Sequence, residues 1–173
     1  MTTQNHIHDL TTNPQPRKRI SIIKTIIVKE SSILYESRHI NTPILAAGLA
    51  RNLYQNADRE MLIVASLDSK CAPLSIEIVA IGNINSCIVS PREVFKHAII
   101  SNATQIIAFH NHVSGICTPS SEDISITKRL VECGNLLGIP LLDHIIIGEE
   151  HTYLSLRENG IVSFDTSPQY YMK

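Results

Sequence analysis

The chain has 173 residues, 43% apolar and 18% charged, with 15 Lys and Arg against 16 Asp and Glu. That length suits one main hydrophobic core, and the composition excludes disordered, fibrous and collagen-like classes. The formal net charge of -1 provides no global field to draw in a phosphate backbone, so nucleic-acid binding would need a local patch.

Residues 1–19 are rich in Thr, Asn, Gln and Pro and are expected to form a disordered tail, with the basic run Arg17-Lys18-Arg19 as solvated chain. Residues 20–28 (ISIIKTIIV) are β-branched nearly throughout, which predicts a strand that can add to a sheet edge or pair between subunits of a homo-oligomer. Thr42 followed by Pro43 predicts a helix start, hydroxyl at N-cap and proline at N1, with Leu45, Leu49 and Leu53 along its inner side to about Gln55. Together, 20–57 read as an N-terminal strand and helix extension ahead of a main domain over 58–165.

Residues 60–67 and 73–81 predict two strands joined through Asp68-Ser69-Lys70, types that suit a turn. Ser90-Pro91-Arg92-Glu93 predicts a capping box and a helix to about Asn102, with Val94, Ala98 and Ile99 inward. Residues 105–110 predict a strand and 112–119 a loop. A long helix follows over 121–137, ended by Gly138, with Ile126, Leu130, Cys133 and Leu137 inward. Residues 141–147 and 152–156 supply the last two strands. Strands that both alternate with helices and pair as hairpins imply an α/β fold with a mixed sheet and helices on its faces.

Cys71, Cys87, Cys117 and Cys133 form no CxxC pair, against both a zinc ribbon and a disulfide scaffold. They read as reduced thiols. No run reaches the roughly 18 apolar residues of a membrane span, and residues 1–10 lack a signal-peptide core. A cytoplasmic location without membrane contact is the expectation.

The chemistry concentrates at His110-Asn111-His112, followed by Ser120 and Asp123, an H-x-H-x7-S-x2-D pattern. Alternate residues of an extended chain point the same way, so both imidazoles can converge just past the strand end. A carboxylate from the first turn of the next helix then completes three ligands and leaves a fourth tetrahedral position open, as in catalytic zinc sites. Taken alone, Ser120 to Asp123 is an ordinary capping box, and an isolated HxH such as His6-x-His8 is usually incidental. The tripeptide His110-Asn111-His112 is not the ββα arrangement of HNH nucleases, and a nucleobase deaminase would need H-x-E and P-C-x-x-C.

Over about 58–162 the chain resembles the RadC-like branch of the JAMM (MPN-plus, JAB) metalloproteases. The likeness lies in Gly82-Asn83-Ile84-Asn85-Ser86, Pro91-Arg92-Glu93-Val94-Phe95, His110-Asn111-His112-Val113-Ser114-Gly115, Pro119-Ser120 and Leu141-Leu142-Asp143-His144-Ile145-Ile146-Ile147-Gly148. It implies a three-layer α-β-α fold related to the cytidine deaminases, a Zn2+ ion on His110, His112 and Asp123, and hydrolysis of an amide or isopeptide bond in a peptide or protein substrate. It also implies a glutamate base, placed by its offset from Gly82 at Glu77, which interrupts the apolar run 76–81. Ser120 would donate a hydrogen bond to the oxyanion. Where the family has proline after the second histidine, this chain has Val113. Longer RadC proteins carry a helix-hairpin-helix region, and residues 1–57 lack its glycine hairpins, which argues against direct DNA binding. The family's DNA-repair label, a catalytically silent binding module and a DNA-repair-associated accessory protein are the competing readings.

Cys117, in the metal loop, reads as a thiol without a metal role. Asp143 and His144 read as buried groups satisfied by one another or by neighbouring backbone.

Overall fold

The computed structural model describes residues 19–82, 89–149 and 151–164. The predicted tail over 1–18 and residues 83–88, which include part of the Gly82 to Ser86 segment, lie outside the described residues. Among the described residues no helix is long and apolar enough to cross a membrane.

The first regular element is α1, Pro43–Tyr54, started as predicted by Thr42, whose hydroxyl accepts from the Leu45 N–H, and by proline in the first turn. Its buried side carries Ala46, Ala47, Leu49, Ala50 and Tyr54. Three alanines let the helix approach the sheet closely. Next come β1, Met61–Leu67, and β2, Pro73–Ile81, an antiparallel hairpin. Its turn is made by Asp68, whose Oδ1 accepts from the N–H groups of Lys70 and Ala72, a local side-chain turn that competes with continuing the strand.

Helix α2, Pro91–Ile100, starts where Ser90 and Pro91 predict, but the capping box does not form. Ser90 makes no side-chain cap, and the Glu93 carboxylate is taken by Lys96 Nζ at 2.5 Å. Its buried residues are Val94, Phe95 and Ala98, whereas Ile99 is exposed. Phe95 stands one residue after Val94 and four before Ile99, and the larger ring takes the core position. Strand β3, Gln105–Asn111, runs one residue beyond its predicted end.

Helix α3, Ser121–Leu137, ends in a left-handed Gly138 (φ 70°), the conformation that favours glycine after a helix. Leu130 is buried as expected and Ile126 and Cys133 pack against the core, but Leu137 is exposed. The inner side of α3 is instead Asp123, Thr127, Leu130, Val131 and Gly134. Two of those five are polar. Strands β4, Leu141–Ile147, and β5, Tyr153–Ser155, complete the sheet.

The sheet order is β2-β1-β3-β4-β5, with β3 and β4 parallel and the other neighbours antiparallel. The parallel pair is joined through α3, since parallel neighbours need a crossover. One face buries Ile63, Ala65, Leu67, Ile107, Phe109, Ile145 and Ile147 under α1. The other buries Leu62, Val64, Ile106, Ala108 and Ile146 under α2 and α3, with Phe95 and Leu130 fully buried between. This is a mixed-sheet, three-layer α-β-α fold. Each such large apolar side chain contributes about 1.5–3 kcal/mol by leaving water.

The strand predicted over 20–28 is absent. None of those residues pairs with the sheet, and Ile20 is 94% exposed. A β-branched run favours a pleated, half-buried surface, and without a partner strand it has no ladder to join.

Candidate metal centre

Strand β3 aims Ile106, Ala108 and His110 at the face covered by α2 and α3, while Ile107 and Phe109 turn to α1. His110 thereby enters the core fully buried. His112 follows two residues later on the same side, at the sheet margin. Asp123 comes from the first turn of α3, held there by a reciprocal capping box: Ser120 Oγ accepts from the Asp123 N–H, and the Ser120 N–H donates to Asp123 Oδ2 at 2.7 Å. The Ser120 hydroxyl also donates to Oδ2, at 2.7 Å. The capping box therefore uses Oδ2 and leaves Oδ1 of the same carboxylate turned to His110.

The donor atoms converge. His110 Nε2 lies 2.9 Å from His112 Nε2 and 3.3 Å from Asp123 Oδ1, and His112 Nε2 lies 3.4 Å from Asp123 Oδ2. His110, His112 and Asp123 form a group whose ligand atoms all lie within 4.8 Å of one another. His112 Nδ1 is 2.6 Å from the Ile116 carbonyl oxygen, which can only accept, so Nδ1 carries a proton. Its Nε2 is then the atom that faces the cluster. Two imidazole nitrogens and a carboxylate meeting within such distances could hold a cation between them, and this borderline nitrogen and oxygen donor set fits Zn2+.

The loop between β3 and α3 is clamped by the turn between β4 and β5. Gly115 is left-handed (φ 73°), and a Cβ there would meet the Glu149 side chain at 2.5 Å. A Cβ on Gly148 would meet Cys117 Sγ, the Gly115 carbonyl oxygen and Thr152 Oγ1, each at 2.5 Å. Val113, where the family has proline, stands in this closely packed loop. Cys117 belongs to the clamp, its Sγ 3.6 Å from Thr152 Oγ1, and is outside the donor group.

Glu77 does not reach this cluster. It pairs in register with Val64, which pairs with Ala108, whereas His110 pairs with Leu62. Two strand spacings and one row separate Glu77 from His110, about 12 Å between backbones. Its Oε2, buried without a hydrogen-bond partner, instead faces His97 Nδ1 at 3.7 Å. A glutamate nearer the cluster is Glu60. Glu60 immediately precedes β1, whose first ladder pair with β3 is Leu62 with His110, and the Asn111 side chain ties the strand ends together, Oδ1 accepting from the Met61 N–H and Nδ2 donating to the Arg59 carbonyl. Glu60 is close enough for its charge to help raise the His112 pKa. Sequence reading missed it because it stands at the start of a strand among polar residues, where a carboxylate needs no explanation.

His144 and Thr127 were missed as well. Asp143 and His144 point to opposite sides of β4. Asp143 accepts from the His144 and Arg157 N–H groups and from the Ser155 hydroxyl, so neighbouring backbone does satisfy it. The His144 ring instead lies between His110 and Thr127, with Nε2 2.8 Å from His110 Nδ1.

Protonation follows from burial. Desolvation lowers the His144 pKa to about 3, with the charge of His110 adding to it. Hydrogen bonding to Asp123 raises that of His112 against desolvation. Burial opposes the Asp123 carboxylate, yet hydrogen bonds from His110 and His112, the His110 charge and the Ser120 hydroxyl hold its carboxyl far below the usual range.

For the metal-free protein these shifts act in different pH windows. The His144 pKa falls below the ordinary 6.5, so stability is lost as pH drops from about 6.5 toward 3, because only the unfolded chain takes that proton. Asp123 adds to the loss below its ordinary 3.8. The raised His112 contributes fully below 6.5 and its share is lost as pH rises through its folded pKa. We expect the urea midpoint in chelator to peak near pH 6.5 and decline toward pH 4, with a His144 slope of up to about 1.4 kcal/mol per pH unit. A flat midpoint across that acid range would contradict a buried neutral His144.

Fold and site together define a three-layer α/β domain with a candidate metal centre at the end of a central strand. Residues 40–161 match the RadC-like JAB domain family, and the chain belongs to that family. A UPF0758 protein of Desulfitobacterium hafniense is 48% identical over 123 residues, 71% of this chain and 54% of that protein. Another from Clostridium acetobutylicum is 45% identical over 128 residues, 74% and 56%. A third, from Clostridium botulinum strain Okra, is 49% identical over 123 residues, 71% and 54%. The chain spans about half the length of these curated relatives.

Proposed function

We propose that this domain is a zinc-dependent metallohydrolase of the peptidase or isopeptidase type, acting on an amide carbonyl, with His110, His112 and Asp123 as metal ligands and Glu60 as general base. The convergence of His110 Nε2, His112 Nε2 and the Asp123 carboxylate carries this reading. Zinc held there supplies Lewis acidity, which brings the pKa of water to about 7 and polarises a carbonyl.

The chain's own groups do the rest. Glu60, whose charge already acts on His112, takes a proton from water and returns it to the leaving amine, a role that requires a carboxylate within hydrogen-bond reach. Ser120 aims Asp123 through Oδ2. Turned away from that carboxylate, the same hydroxyl can donate to the developing oxyanion, a contact typically worth about 3 kcal/mol. Glu77, the base suggested by sequence offset, is assigned to His97 instead.

Zinc-loaded protein is expected to cleave fluorogenic peptide amides or a lysine isopeptide conjugate, to lose that activity in chelator and to regain it with added zinc. A zinc-loaded chain that cleaves neither class would favour the silent binding module. Salt-sensitive retention on DNA, without cleavage, would favour the accessory-protein reading.

A further inference from the structure

The geometry points to His144 and Thr127 as positioning residues that fix the ring tautomer of His110 through an ordered chain of hydrogen bonds starting at the Asp123 backbone. This inference rests on His110 being a metal ligand, and it adds two residues that contact no metal.

The order follows from counting hydrogens. Thr127 Oγ1 lies 2.5 Å from the Asp123 carbonyl oxygen and 2.5 Å from His144 Nδ1, and it has a single hydrogen. A carbonyl oxygen can only accept. If the hydroxyl pointed at His144, two oxygens would face each other at 2.5 Å with no proton between them, well inside their ordinary contact distance. The hydroxyl therefore donates to the Asp123 carbonyl, and Thr127 Oγ1 accepts from His144 Nδ1–H. A neutral His144 protonated at Nδ1 has a lone pair on Nε2. That lone pair, 2.8 Å from His110 Nδ1, accepts from His110 Nδ1–H. His110 thereby turns Nε2 to His112 Nε2 and Asp123 Oδ1, the side from which a bound cation would take its lone pair.

Both ligand histidines thus present Nε2, through different devices. His112 is set by a loop carbonyl at the surface and His110 by a chain buried between β3, β4 and α3, where His110, Thr127 and His144 are each at most 1% exposed. The chain starts at the carbonyl of Asp123, itself a ligand, so one turn of α3 supplies both the carboxylate and the anchor that orients the opposing imidazole. A polar Thr127 on the inner side of an otherwise apolar helix stretch, and a histidine within the run 141–147, find their reason here.

The test is made on the full chain in two readings. In metal-free protein at mildly alkaline pH, long-range 1H–15N NMR of the imidazoles is expected to show His144 protonated at Nδ1 with a bare Nε2, and His110 protonated at Nδ1. Zinc dissociation constants from chelator competition are then compared for the unmodified chain, Thr127→Ser and the isosteric Thr127→Val. The serine variant keeps the hydroxyl and should bind within about threefold. The valine variant should bind at least tenfold more weakly, the range typical of lost outer-shell partners, with the His144 tautomer mixed or reversed. His144 protonated at Nε2 in the unmodified chain, or a valine variant that binds zinc as well as the serine one, would overturn the inference. Neither reading needs turnover, so a chain that hydrolyses nothing leaves the chain of hydrogen bonds standing. A chain that binds no zinc is judged on the tautomers alone.

Discussion

Purified chain is expected to carry one zinc, and both His112→Ala and Asp123→Ala to lose it. Each substitution removes one of three donors that meet within 4.8 Å. Outer-shell partners alone typically change metal affinity ten- to a hundredfold, so loss of a direct ligand should exceed that. The variants should differ in their side effects. His112→Ala leaves the Ile116 carbonyl to water at the site margin and should give up only the stability that the raised His112 pKa contributes at low pH. Asp123→Ala also breaks the capping box of α3, which usually costs about 1 kcal/mol. Elemental analysis with thermal unfolding in chelator separates these consequences. Full zinc occupancy in either variant would remove that residue from the ligand set.

Glu60→Gln is expected to keep zinc and lower turnover by about 10²- to 10⁴-fold, the contribution of general acid–base catalysis. The amide preserves size and polarity and cannot hold the proton. Glu77→Gln should leave turnover nearly unchanged, because that carboxylate faces His97 of α2 and β1 lies between its strand and β3. Zinc content and the hydrolysis assay together decide between the two. Full activity in Glu60→Gln with loss in Glu77→Gln would return the base to Glu77.

Much of the architecture was legible locally. Thr42-Pro43, Asp68 and Gly138 act through their own backbone neighbourhoods, and each starts or stops an element as its chemistry dictates. The H-x-H spacing was equally readable, because strand alternation alone puts His110 and His112 on one side. Local rules failed where two candidates competed for one partner. Glu93 could cap Ser90 or pair with Lys96, and it does the latter. The run 20–28 has strand chemistry, yet a strand also needs a neighbour that its own sequence cannot supply.

The sequence by itself determined which residues could bind a metal and, through a capping box and strand alternation, roughly how they would be presented. Tertiary structure decided which other side chains join them. Glu60 comes near enough to influence His112 because β1 pairs beside β3, whereas Glu77, out on β2, faces His97. His144 lies 34 residues from His110 and 17 from Thr127, and the three meet only when the β3-α3-β4 crossover closes. Ligand identity is carried by residue type and short spacing, whereas proton placement is carried by contacts between distant elements.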